Sequence, residues 1–406
     1  MISRTRAGIA LRTVAIAVSA AAAPATATIC RGGEAAETQT QKLLASDGAE
    51  GDRYGMAVAR QGQTLIIGAP QRFANALRGS FYVLTPDEAG RWIERDRVLS
   101  PFDPGGVYGD EFGAEVALDG DTLLVGAPLT NPGAQLSGYA YAYSRDGDGQ
   151  WTLSQGFPPP STGFGGSIAL VGDRALIASN SEAIVVTRDG SGQWSQEAAL
   201  SADTVATTVA FDGATIVVAG RFSSLEIGAV LFVHQGGVWS PSATISMPTE
   251  PFPGSPYMLV RDVSIDGDRL ALGITNLLGP DRALVYERDA SSGAWIETAA
   301  LDPDVGSEGD GFGVQVVLRK DLLLVGASSV GKVYVYRRGG NGEWAEIRQL
   351  APSDPFFGQT FGRAVQFGEG KAVIGATDHA NGLHAGAAYV FDLAATPTSP
   401  LPAPGR

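Results

Sequence analysis

The stretch Asp110-Glu111-Phe112-Gly113, continued by Val116-Ala117-Leu118-Asp119-Gly120-Asp121-Thr122-Leu123-Leu124-Val125 and closed by Gly126-Ala127-Pro128, decides the fold. An aromatic-glycine pair leads into a short apolar strand, Asp-Gly supplies a tight hairpin turn, and a second strand runs into Gly-Ala-Pro. The phrase returns at Tyr54-Gly55 to Gly68-Ala69-Pro70, at Phe312-Gly313 to Gly326-Ala327-Ser328, and at Phe361-Gly362 to Gly375-Ala376-Thr377. A weaker copy runs from Phe164-Gly165 to Ala178-Ser179, and two degenerate copies lie around Val205 to Ala219 and Leu259 to Gly273. Seven units of similar length mark a repeat architecture.

Each unit continues in the same way. Tyr139-Ala140-Tyr141-Ala142-Tyr143 alternates with period two as a half-buried third strand, Asp146-Gly147-Asp148-Gly149 turns, and Trp151-Thr152-Leu153 opens a fourth. Four antiparallel strands per unit is a propeller blade, so the expected fold is all-β, a seven-bladed β-propeller. The six tryptophans (92, 151, 194, 239, 295 and 344) all fall at the start of the fourth strand. One ring per blade at one repeat position suits packing between neighbouring blades better than a single sugar-stacking platform. The seventh unit ends after its third strand, Ala387-Ala388-Tyr389-Val390-Phe391, while Gln39 to Ala45 resembles the fourth-strand segment Glu346 to Ala351. The N-terminal strand is therefore expected to complete the last blade and remove an open edge.

Outside the repeats, Arg4, Arg6 and Arg12 precede an apolar run from Val14 to Ala23, and Ala25-Thr26-Ala27 fits small-residue cleavage. The sequence thus divides into a signal peptide (1–27), a linker (28–37), the propeller (38–393) and a Pro-rich tail expected to be disordered (394–406). The protein is expected to be exported and monomeric, with no transmembrane segment in the mature chain. Cys30, the only cysteine, permits no internal disulfide, and Ile29 before it disfavours a lipoprotein anchor. A formal charge of −14 argues against nucleic acid or an anionic membrane as partner.

The pairing of Phe-Gly (112–113, 312–313, 361–362) with Gly-Ala-Pro (68–70, 126–128) resembles the FG-GAP repeat family, which includes the propeller head of integrin α subunits and many exported bacterial proteins. That resemblance implies an exported binding or adhesion module for a protein or carbohydrate partner, and no enzyme. Integrin-like repeats often carry an Asp-x-Asp-x-Asp-Gly calcium loop. Here the corresponding hairpins are only Asp119-Gly120-Asp121, Gly172-Asp173, Asp212-Gly213, Asp266-Gly267 and Glu369-Gly370. Calcium needs six to eight oxygens, so the typical calcium loops are absent and no cofactor is expected, with calcium left open elsewhere. The connection holding Asp302, Asp304, Glu308 and Asp310 is the remaining metal candidate.

The loops before Phe-Gly and after Gly-Ala-Pro share one face of the ring, and they vary in length. On blades seven, one and two they hold Arg72, Asn75, Arg78, Asp103, Tyr108, His379 and His384, the expected ligand face. The Pro-rich connection 247–257 adds Phe252 and Tyr257, either as a docking tip or as a cap on the channel. The alternatives are a structural unit of a surface assembly and a propeller hydrolase or lyase with carboxylates at the channel mouth. For the latter, Asp52, Asp110 and Asp310 precede the aromatic-glycine pairs, but their recurrence at one repeat position suits capping a turn. There is no Ser/His/Asp or Cys/His constellation, no Gly-x-Ser-x-Gly and no phosphate-binding loop.

Overall fold

Short runs rich in Val, Ile, Leu and Ala, each ended by a glycine-bearing turn, form strands of five to eleven residues. The structure is a computed structural model that describes residues 39–394 apart from 72–77, 103–108, 131–137, 202–204, 224–225, 249–257, 277–278, 303–308, 356–359 and 379–384. The described residues form seven four-stranded antiparallel sheets. Six are built from consecutive strands. The seventh places Gln39–Leu43 beside Ala387–Asp392, with Leu43 opposite Ala388 and Gln39 opposite Phe391. The first strands of the seven blades are Ala57–Gln61, Glu115–Asp119, Ser167–Val171, Val205–Phe211, Met258–Asp266, Phe312–Arg319 and Ala364–Gly368. Each touches the next, and the seventh touches the first, so these strands are innermost and enclose a central channel. The ring of blades is closed. No helix among the described residues is long and apolar enough to cross a membrane.

The repeat phrase is explained by one close approach between blades. A Cβ built on Gly126, near the end of the second strand of blade 2, would lie 2.0 Å from the carbonyl oxygen of Gly165, the Phe-Gly glycine of blade 3. At the closing joint a Cβ on Gly375 would lie 1.8 Å from the carbonyl of Gly55. The glycine of one motif therefore makes room for the backbone of the other, one blade on. This also explains the degenerate copies. Ala178 and Ala219 stand where the other blades place this glycine, and the blades that follow them begin with Val205-Ala206 and Leu259-Val260 rather than an aromatic-glycine pair. Both halves of the contact change together.

The tryptophans bear out the packing role. Trp92, Trp151, Trp194 and Trp344 are buried, each in an apolar cluster shared with the preceding blade: Trp151 with Ile66 and Val83, Trp92 with Val373 and Val390. Arg60, Arg145 and Arg188 cover three of the rings at 5.5–5.6 Å. The N-terminal strand carries a clamp found elsewhere in the ring. Gln41 donates to the Trp92 carbonyl at 2.6 Å and accepts from the Trp92 amide at 2.9 Å, as Gln155 does with Trp194 at 3.1 Å in both directions.

Candidate active site in the central channel

The register of the innermost strand fixes what faces the channel. The residue opposite the repeat-motif glycine, or the alanine in its place, is Ala57, Glu115, Ser167, Thr208, Asp262, Gln315 and Ala364 in blades 1 to 7. One position earlier stand Met56, Ala114, Gly166, Arg261, Val314 and Arg363 in the blades whose side chains are described there. Together these two positions supply the charged groups Glu115, Asp262, Arg261 and Arg363 to a cavity of about 880 Å³ on the ring axis. Blades 2 and 5 are three apart in a ring of seven, so the two carboxylates belong to opposite sides of the channel.

Asp262 is held from both neighbouring blades. It accepts from the Val316 amide at 2.8 Å, from the Gln315 side-chain amide, and from the Thr208 hydroxyl at 3.4 Å. Burial outweighs these donors and pushes its carboxyl up to about 7. Glu115 has no such set of donors. Burial, reinforced by the charge of Asp262 and opposed by Arg363, pushes it up to about 8. Both side chains keep an accessible edge on the channel while protein crowds them elsewhere. Arg261 donates through Nε to the Thr275 hydroxyl at 2.9 Å. Burial lowers the Arg363 guanidinium, and the charges of Arg53 and Arg261 lower it further against the pull of Glu115 and Asp378. Arg53 lies 3.8 Å from Glu111, and both adopt left-handed φ (57° and 54°) where blades 3 and 6 use Gly163 and Gly311. Two non-glycine residues thus hold a conformation usually left to glycine, just before the aromatic that opens the blade.

The residues expected from the sequence are placed differently. Arg78 reaches the Ser100 carbonyl at 3.5 Å, away from the channel lining. Arg72, Asn75, Asp103, Tyr108, Phe252, Tyr257, His379 and His384 lie outside the described residues. The same is true of Asp304 and Glu308, and no group of three or more His, Cys, Asp or Glu that could hold a metal occurs among the described residues. Asp52, Asp110 and Asp310 are buried turn caps and do not line the cavity. Asp110 accepts from the Phe112 amide at 3.1 Å and from the Ser100 hydroxyl, Asp310 from the Phe312 amide at 2.9 Å, and Asp52 from the Ala49 amide at 2.7 Å. The remaining histidine, His234 on the third strand of blade 4, lies 3.2 Å from Glu197 on the outer strand of blade 3.

The FG-GAP repeat model matches residues 38–84, 102–143 and 344–391, which contain the motifs of blades 1, 2 and 7. The chain carries FG-GAP repeats within a seven-bladed β-propeller. No curated protein matches the chain in sequence. Among solved structures it is similar to a protein from Lactobacillus plantarum, at 16% identity and a TM-score of 0.54 over 73% of this chain and 84% of that one. It is also similar to candidate 6-phosphogluconolactonases from Bacteroides uniformis (14%, TM-score 0.54, 73% and 85%) and Bacteroides fragilis (11%, TM-score 0.52, 78% and 87%). At these identities the likeness is one of fold. It nevertheless overturns the expectation that the chain is no enzyme. That expectation came from the family resemblance and from the lack of a familiar catalytic constellation, and propellers superposing on this one include candidate 6-phosphogluconolactonases, so the FG-GAP scaffold gives no ground for excluding catalysis.

Proposed function

We propose that the protein is a hydrolase whose reaction takes place in the central channel, cleaving an ester-type C–O bond of a small molecule with Asp262 as general base and Glu115 as general acid. The observation that carries this reading is the pair of carboxylates at one register position of opposing blades, facing a cavity large enough for a metabolite. Their environments divide the roles. Three donors favour the ionised form of Asp262, whereas Glu115 sits between burial and a neighbouring negative charge that favour its neutral form. Asp262 takes a proton from water as the water oxygen bonds to the electrophilic carbon. The electrons of the breaking C–O bond pass to the leaving oxygen, which takes the Glu115 proton. One water is consumed, and returning the proton from Asp262 to Glu115 through solvent resets the pair.

A cyclic ester is the first substrate to try, because two propellers of this fold are candidate 6-phosphogluconolactonases. A binding role on the loop face draws no support from the described residues, since all of its expected residues except Arg78 lie outside them. The test is turnover of a panel of lactones and aryl esters by the wild type and by Glu115→Gln. Loss of the general acid should lower kcat roughly 10²- to 10⁴-fold with little change in KM. Between about 7 and 8 Asp262 is mostly ionised and Glu115 mostly protonated, so the rate should rise through the lower value and fall through the upper. Equal turnover by both proteins, or none by the wild type on any ester, contradicts the proposal.

A further inference from the structure

The channel holds cations that the acid–base pair does not use. In a chain of net charge −14, Arg261 and Arg363 occupy the same register position of blades 5 and 7, where the other described side chains are Met56, Ala114, Gly166 and Val314. Arg53, one residue before Tyr54, is close enough that its charge and that of Arg261 both act on Arg363. Like charges brought together repel one another, and a bound anion would relieve that repulsion. Arg53 has Glu111 beside it and Arg261 donates to Thr275, but no acceptor among the described residues lies within hydrogen-bond distance of the Arg363 guanidinium. Glu115 and Asp378 act on it only through their fields. A guanidinium exposed to a cavity, without an acceptor and repelled by two others, is a fork suited to an anion.

We propose that Arg363 and Arg261 form an anion subsite beside the carboxylate pair, so that the substrate is a small molecule carrying a phosphate or carboxylate group. This rests on the channel being the active site. The guanidinium pair would anchor the charged end while the scissile bond lies between Asp262 and Glu115, leaving the reaction itself unchanged.

The experiment is calorimetric titration with glucose 6-phosphate, gluconate and glucose, at low and at physiological salt. At least one of the two anions should bind, which of them telling phosphate from carboxylate, and glucose should not. Binding should weaken on adding salt. Arg363→Gln should weaken it roughly 10- to 100-fold, the loss expected for a charge-assisted hydrogen bond, and Arg363→Lys should fall between. Unchanged melting of both variants would show that the ring is intact. Failure of both anions to bind, or equal binding to wild type and Arg363→Gln, overturns the subsite. Hydrolysis of a neutral ester that depends on Glu115 but shows no anion binding would sink the subsite and leave the acid–base pair standing. Arginine-dependent anion binding with no turnover of any ester would do the reverse.

Discussion

Replacing Gly126 by alanine tests why the two halves of the repeat motif occur together. The added Cβ would stand 2.0 Å from the Gly165 carbonyl oxygen and 3.1 Å from its carbon, so blades 2 and 3 would have to separate by about 1.5 Å to reach ordinary contact. Gly165 cannot simply turn away. It has φ 87°, and its own Cβ position is 2.3 Å from the Tyr139 carbonyl oxygen. Overpacking usually costs about 1–3 kcal/mol, and here backbone opposes backbone, which sets the expectation at the top of that range, about 3 kcal/mol. With roughly 2.1 cal/mol/K of unfolding entropy per residue over some 350 propeller residues, that loss lowers Tm by about 4 °C if the ring melts as a unit. Circular dichroism melts of the variant and of Ala178→Gly, its counterpart at the degenerate joint, make the comparison. Ala178→Gly should lose only about 1 kcal/mol, the ordinary penalty of glycine in a strand. A melting point for Gly126→Ala within about 1 °C of wild type would refute the reasoning, as would an equal loss in both variants.

Ring closure and channel electrostatics give two further expectations. Gln41→Ala removes both hydrogen bonds that the N-terminal strand makes to Trp92 and should cost about 1–3 kcal/mol, with blades 7 and 1 losing amide protection first in hydrogen exchange; uniform protection across the ring would count against the clamp. Glu115 has a folded-state value above its unfolded one, so between about 4.5 and 8 the folded chain binds more protons and stability falls as pH rises. Relative to Glu115→Gln, the wild type should therefore lose melting temperature between pH 5 and pH 8.5, and parallel pH profiles for the two proteins would show that Glu115 is not perturbed.

The fold was legible because its signals are local and repeated. Phe112-Gly113 and Gly126 mark the same inter-blade contact again and again, the tryptophans sit at one register position, and Gln39–Leu43 resembles the fourth strand whose place it takes. The turn-capping role of Asp52, Asp110 and Asp310 could also be read from their recurrence. The channel pair was hidden for a specific reason. Glu115 can be counted from Phe112, but blade 5 has no aromatic-glycine pair and a bulge between Val260 and Asp262 shifts its register. Only the pairing of Asp262 with Gly273 shows that it and Glu115 hold equivalent places. Had the seven inner strands been aligned on their Gly or Ala partner, two carboxylates among Ala, Ser, Thr and Gln would have stood out. Reasoning from loop variability led instead to the outer loops.

Carbon-detected NMR titration of the side-chain carboxyls, assigned by comparing wild type with Glu115→Gln and Asp262→Asn, tests the acid–base pair without needing its substrate. The channel geometry calls for two carboxyls titrating between about 7 and 8, with the remaining one shifting downward when its partner is neutralised. Titration of both in the ordinary carboxylate range, near 4, would mean that the channel does not hold a proton for catalysis and would contradict the proposed hydrolase.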